Sequence, residues 1–179
     1  MQVDRAAFRN AMACFGSAVS VISTDGPGGR RAFTCTAMCP VTDEPATVLV
    51  CVHRDSQCNQ AFKMNLAFCV NLLNTDQSDV SAVFAGRMDV KMDDRFRKVG
   101  WRTLETGSPV FDDAVAVLDC KIVELKECGT HTILFGQVLA ASSNPGREPL
   151  MYHKRAYQRL VTPQQNRLDG RSTVGSFAS

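Results

Sequence analysis

The residues of this 179-residue chain with the most versatile chemistry are three histidines, His53, His131 and His153, and eight cysteines. The histidines lie far apart and form no ligand motif, and a lone histidine on a strand is usually satisfied by a neighbour. There is no G-x-S-x-G, no H-E-x-x-H and no run of Asp and Glu spaced for a metal. Cys35 and Cys39 are separated by three residues, but no C-x-x-C occurs, and a zinc site wants such short paired spacings. Cys51, Cys69 and Cys120 sit inside apolar runs, where a free thiol behaves as a small hydrophobe. A chain without an acid, base or nucleophile constellation suits chemistry carried by a bound cofactor, with the protein supplying placement and exclusion of water.

The stretch that stands out is Phe33-Thr34-Cys35-Thr36-Ala37. Small side chains in a strand let a flat ligand approach the main chain, while hydroxyls and N–H groups bond its heteroatoms. The same stretch also reads as a threonine-rich edge strand. The glycine-dense Asp25-Gly26-Pro27-Gly28-Gly29-Arg30 suggests a phosphate loop at first sight. However, a dinucleotide fingerprint leads from a strand into a helix, and here a second strand follows, so a hairpin turn is expected.

The elements that must position these residues are mostly strands. Apolar spacing at Ala7, Phe8, Ala11, Met12 and Phe15 predicts a helix over 4–15, with Asp4 as N-cap. Strands are expected at 18–24, 31–41, 47–52 and 67–73, the third of them apolar on both faces and hence central. Cys35 and Cys39 would then share one face of the second strand. Short helices are expected over 56–64, from a Thr75 or Asp76 cap to Phe84, and at 93–96. The more polar stretch 85–113 is an excursion anchored by Trp101. Two long strands, about 114–126 and 130–142, pair around Glu127-Cys128-Gly129, and Leu150-Met151-Tyr152 forms a last one. Strands without regularly interleaved long helices argue against a doubly wound fold and for a small barrel with helices packed outside. The expected organisation is one domain over 1–162 and a polar tail over 163–179.

Composition closes off other classes. Hydrophobic residues at 45% and charged residues at 21% describe a packed globule. A net charge of +2 without a polybasic run excludes the usual nucleic-acid or membrane-surface binder. No apolar run approaches the roughly 20 residues of a spanning helix, and the start lacks the apolar core of a secretory signal. With unpaired cysteines, the expected address is the cytoplasm.

The order of several further stretches carries a resemblance. Phe8-Arg9-Asn10-Ala11-Met12, Gly16-Ser17-Ala18-Val19, Phe33 to Ala37, Phe68-Cys69-Val70-Asn71-Leu72-Leu73, Phe84-Ala85-Gly86-Arg87, Arg95-Phe96, Gly129-Thr130-His131 and Tyr152 to Tyr157 together resemble the short-chain flavin reductase family. These are the small partners of two-component flavin monooxygenases. The reductase component of 4-hydroxyphenylacetate 3-monooxygenase, from aromatic catabolism, and the flavin reductase of pyrimidine catabolism are members. The similarity runs from about residue 5 to residue 160.

The resemblance implies a mainly β split barrel with flanking helices that binds FMN or FAD as a homodimer. It implies hydride transfer from the nicotinamide C4 of NADH or NADPH to flavin N5, with reduced flavin diffusing to a separate monooxygenase. Phe33, Thr34, Cys35, Thr36 and Ala37 would line the flavin ring. His53, Arg54 and Ser56 would meet the ribityl-phosphate region, and Phe84 and Arg87 would add a phosphate contact. His131 and Tyr152 would border the nicotinamide, His131 being the candidate catalytic residue; no metal is implied. Thr36 and Pro40 stand where relatives commonly have serine, and His53 replaces a frequent asparagine, which bears on FMN versus FAD. A non-catalytic flavin carrier, an FMN-retaining split-barrel oxidase and a thiol-based redox sensor are the alternatives.

Overall fold

The computed structural model describes residues 3–86 and 90–160, so Arg87 and the tail over 163–179 lie outside the described residues. The elements run α1 (Arg5–Met12), β1 (Ser17–Ala18), β2 (Ser20–Thr24), β3 (Arg31–Cys35), β4 (Met38–Asp43), β5 (Ala46–His53), α2 (Gln57–Asn65) and β6 (Ala67–Leu72). They continue with α3 (Ser78–Phe84), α4 (Met92–Phe96), β7 (Trp101–Thr103), β8 (Pro109–Phe111), β9 (Ala116–Cys128), β10 (His131–Ser143), β11 (Met151–His153) and β12 (Ala156–Gln158).

Seven strands form one antiparallel sheet in the order β3-β2-β6-β9-β10-β5-β4. The two border strands, β3 and β4, are consecutive in the chain and separated only by Thr36 and Ala37. A two-residue link spans less than about 11 Å, so the sheet must curl until its borders meet at this joint. The expected single strand over 31–41 is therefore two strands on opposite borders. Cys35 is buried in the interior while Cys39 is exposed on β4, so they do not share a strand face. No glycine or proline marks the break within 35–38, which is why the pattern reads as continuous.

The interior of the curl is filled by Ile22, Val48, Val50, Val52, Phe62, Phe68, Val70, Cys120, Ile122 and Leu134. Burying each large aliphatic or aromatic side chain contributes about 1.5–3 kcal/mol. Within this sheet the strands buried on both faces are β2 and most of β6. β5 alternates instead, with Val48, Val50 and Val52 buried and Thr47, Leu49 and Cys51 half-exposed. It lies next to the sheet border rather than at its centre, because its second apolar face has no layer over it in the protomer.

A second apolar cluster lies outside the curl, where Val19, Val21, Leu73, Phe84, Phe96, Phe111 and Leu150 gather under α3 and α4. The excursion is sewn on by buried polar groups. Asn71 Nδ2 donates to Val21 O (3.2 Å) and Ser23 Oγ (3.0 Å), and its Oδ1 accepts from Phe111 N (2.7 Å). Trp101 packs edge-on against Phe96, and the Arg30 guanidinium lies 4.9 Å from the Trp101 ring and 5.1 Å from the Phe96 ring.

Local chemistry explains the helix ends. Asp4 caps α1 by accepting from Ala6 N and Ala7 N (3.1 and 3.0 Å), and Ser56 caps α2 by accepting from Cys58 N (3.2 Å). α3 begins later than the sequence suggests: Gln77 is its N-cap and makes no capping bond. Neither Thr75 nor Asp76 caps it, because Asp76 N is already held by Asn74 Oδ1 (2.7 Å) in the preceding turn.

Candidate functional site

Three clefts follow one another along β3 and the joint. The largest, about 830 Å³, is lined by Arg31, Ala32 and Phe33 of β3, by Ser56 to Cys58 at the start of α2, by Phe84 to Gly86, and by Val90 to Asp93 and Arg95. The smallest, about 200 Å³, is lined by Thr34, Cys35 and Thr36 with Ser81, Tyr152 and Tyr157. The third, about 410 Å³, takes Thr36 and Ala37 together with α1 and Arg155.

The joint is a shelf of small side chains. As a border strand β3 pairs only with β2, so alternate N–H and C=O groups point away from the sheet. Thr36 and Ala37 are exposed. The Thr34 hydroxyl donates to Ser81 O (2.6 Å), and Tyr157 OH donates to Ser81 Oγ (2.9 Å), so α3 and β12 fix the shelf from beneath. Ala37 N donates to Cys35 Sγ (3.1 Å). Burial pushes the Cys35 thiol up to about 11 against a smaller opposing effect of that hydrogen bond. It is a neutral filler at physiological pH and a poor nucleophile.

The large cleft suits an anion. Among the described lining residues Arg31, Lys91 and Arg95 are basic and Asp93 is the one carboxylate, and the Ser56-capped start of α2 borders the same space. Phe33 stands on its wall, edge-on to Phe62 with centroids 5.5 Å apart. Phe84 also borders the cleft, although its ring is buried against Phe96 and Phe111.

His53 and His131 meet where β5 ends and β10 begins. They are direct partners across β5 and β10, with ring centroids 5.1 Å apart and planes at 75°. Asp55 N donates to His53 Nδ1 (3.2 Å), and the Thr130 hydroxyl contacts His131 Nδ1 (2.9 Å). His131 is the first residue of β10 rather than part of the turn, which is Gly129 and Thr130. Neither histidine lines any of the three clefts.

Arg54 is engaged elsewhere. Its backbone N donates to Thr130 O (2.9 Å), its Nη1 donates to Gly129 O (3.3 Å), and its Nε pairs with Glu127 Oε2 (3.1 Å). Lys63 Nζ closes on the other Glu127 oxygen at 2.6 Å, and these donors hold the Glu127 carboxyl below its usual range. The group clasps the β9–β10 turn to α2. Tyr152 is half-buried, packs edge-on against Tyr157 (5.5 Å) and separates the small cleft from the third. Thus Phe33, Ser56 and Phe84 line the large cleft, Thr34 to Ala37 and Tyr152 line the two smaller ones, His53 and His131 pair with each other outside all three, and Arg54 is held by Glu127 and the β9–β10 turn.

Sequence reasoning passed over Arg31, Lys91, Ser81, Arg9 and the side chain of Arg155. Scattered single cations give no local signal; only the curl gathers them. Among the described residues no group of three or more His, Cys, Asp or Glu is placed to hold a metal. All eight cysteines are free, four of them buried.

A curled seven-stranded sheet whose joined borders carry a small-residue shelf defines the class: a split β-barrel of the flavin-binding type. The family model for the flavin reductase like domain matches residues 12–161. The chain is 42% identical over 160 residues to the NADH-dependent FMN reductase RutF of Enterobacter cloacae subsp. cloacae, covering 89% of this chain and 96% of that one. Among solved structures, the NADH:FAD oxidoreductase SgcE6 of Streptomyces globisporus, in complex with NAD and FAD fragments, superposes with a TM-score of 0.82 at 30% identity over 93% of this chain and 99% of its own. Nitrilotriacetate monooxygenase component B from Mycobacterium thermoresistibile gives a TM-score of 0.82 at 29% identity over 97% and 96%. The protein belongs to the flavin reductase like domain family.

Proposed function

We propose that the protein is an NADH-dependent FMN reductase that hands reduced flavin to a separate oxygenase. The observation that carries this reading is the order of the clefts along β3: a basic cleft, a shelf of small side chains, then a second basic cleft. Bound flavin supplies the electron-accepting ring, and reduced nicotinamide supplies the hydride. The residues present fit such a group. A flat ring lies best against a border strand with small side chains and unspent N–H groups, and an attached phosphate needs the cations and helix N-terminus of the large cleft.

The chain's own part is binding and placement, the main catalytic effect available when two cofactors react directly. Arg31, Lys91, Arg95 and the Ser56-capped helix hold the phosphate. Thr34 to Ala37 support the ring, and Tyr152 and His131 border the face on which the donor stacks. The preference for FMN and NADH rests on the name of the 42% identical relative. A separate oxygenase is supported by the likeness to a monooxygenase component.

The active species is a homodimer. Phe8 and Met12 are 55% and 49% exposed on α1, which buries none of its residues in the protomer, and Phe15 just beyond it is 64% exposed. The half-exposed Leu49 and Cys51 beside the exposed strand β4 leave a second uncovered face. No helix among the described residues is long and apolar enough to cross a membrane. With eight free thiols the cytoplasm is the fitting compartment.

The test is to mix protein, NADH or NADPH, and free FMN or FAD, and follow the nicotinamide absorbance band. Rapid NADH consumption with FMN supports the reading. Flavin binding without NADH consumption leaves a carrier, and flavin retained through dialysis points to an oxidase.

A further inference from the structure

The third cleft lies between α1 and the β11–β12 turn, and neither the flavin ring nor its phosphate fills it in the reading above. Its wall carries Arg9 from α1 and Arg155 from the turn, with Met12, Phe15 and Tyr152 beside them and no carboxylate among the described residues. Arg155 Nη2 donates to Asn10 Oδ1 (2.7 Å), which leaves most of its fork of donors unspent. Arg9 makes no hydrogen bond or ion pair through its side chain among the described residues. Two guanidinium groups beside aromatic surface match a phosphate diester or diphosphate flanked by a base.

The turn itself is unusual. Lys154 and Arg155 both have left-handed backbone, φ 49° and 63°, where a two-residue hairpin normally uses Asn and Gly. Lys154 N donates to Ala13 O (2.8 Å), so the turn and α1 are tied together. Two long cationic side chains kept at positions that favour glycine point to a demand for the side chains.

Position decides which ligand. Along β3, Arg31 to Phe33 face the large cleft, Thr34 to Thr36 the shelf, and Thr36 and Ala37 this cleft. A flavin ring on the shelf with its phosphate in the large cleft sends every ribityl-linked group, the adenosine of FAD included, toward that large cleft. The opposite cleft remains for the second substrate.

We propose that Arg9 and Arg155 bind the diphosphate of the nicotinamide dinucleotide, making the α1 cleft its specificity site. This inference rests on the flavin reductase reading. Arg155→Gly removes the side chain while suiting the left-handed turn, and Arg9→Gln keeps an exposed helical position helical. In calorimetric titration of FMN-loaded wild type, NAD+ and inorganic diphosphate compete for one site. In the double variant both affinities fall about tenfold or more, KM for NADH rises by a similar factor, and FMN affinity, read from flavin fluorescence, changes less than twofold. The inference is overturned if NADH and diphosphate bind the double variant as they bind wild type. It is equally overturned if only FMN or FAD affinity falls, since that assigns the cleft to the flavin. Failure of the underlying reading looks different: the wild type itself would bind FMN and leave NADH unconsumed.

Discussion

His53 and His131 face each other across β5 and β10 as direct register partners, their rings edge-to-face at 5.1 Å. Because Asp55 N donates to His53 Nδ1, the neutral ring carries its proton on Nε2, and one tautomer is selected. His53 thus acts on the neighbouring histidine by packing and orientation. His131→Ala is expected to raise KM for NADH about tenfold while FMN affinity holds. His53→Asn is expected to give a smaller rise of the same kind. Parallel FMN and NADH titrations check both, and a loss of FMN binding in His131→Ala would remove His131 from the donor side.

The large cleft predicts a salt-dependent flavin affinity. Arg31→Ala should raise the Kd for FMN about tenfold, the scale of one charge-assisted hydrogen bond to phosphate. It should leave the affinity for riboflavin, which lacks the phosphate, nearly unchanged. Fluorescence titration with both flavins at two ionic strengths is the measurement. Equal losses for FMN and riboflavin would move the phosphate out of this cleft.

Gly136 marks a close approach in the interior. A Cβ there would collide with Phe68 Cζ and lie 2.9 Å from Cys120 Cβ, at a register shift of the β9–β10 ladder. Gly136→Ala must displace a fully buried ring, and overpacking of this kind costs about 1–3 kcal/mol. Thermal unfolding should show a midpoint lower by roughly 2–4 °C per kcal/mol.

Thiol reactivity should follow burial. Cys14, Cys39 and Cys128 are exposed in the protomer and should react with a thiol reagent without unfolding, Cys14 and Cys39 more slowly where the dimer covers α1 and β4. Cys35, Cys58, Cys69 and Cys120 should react only on unfolding, since burial raises each of these thiols, Cys120 to about 12. Counting fast and slow thiols in native and denatured protein checks this. A fast-reacting Cys35 would revive the thiol-sensor reading.

The Glu127 clasp gives an acid limit. Its folded-state carboxyl titrates below its unfolded value, so its contribution is present at neutral pH and is lost as pH falls through the folded value. Glu127→Gln should therefore flatten the acid side of the stability profile without changing stability order elsewhere. Melting curves across pH 3 to 7, an interval chosen from the usual carboxylate range of about 4, make the comparison.

Much of this molecule was readable from residue order. The strand run, the Asp4 cap, the short helix expected over 56–64 and the small-residue stretch at 33–37 announce themselves locally. The break at Thr36–Ala37 did not, because both halves have strand propensity and only long-range pairing shows that β3 joins β2 while β4 joins β5. Arg54 next to Ser56 looks like a phosphate ligand in one dimension, yet Glu127, seventy-three residues on, captures it. Arg9 and Arg155 are farther apart still and are brought together only by the docking of the β11–β12 turn on α1.

No ladder connects β3 to β4; the sheet order ends with one at each border. The chain connection and the packing of the interior, not a hydrogen-bonded ladder, therefore keep the rim of the barrel gathered at the place where a ligand would lie. A circular permutant opened between Thr36 and Ala37 would retain every hydrogen-bonded strand pair and still lose its binding platform. Recognition in this protein is thus a property of how the backbone is threaded, and substitution of side chains elsewhere could not restore it.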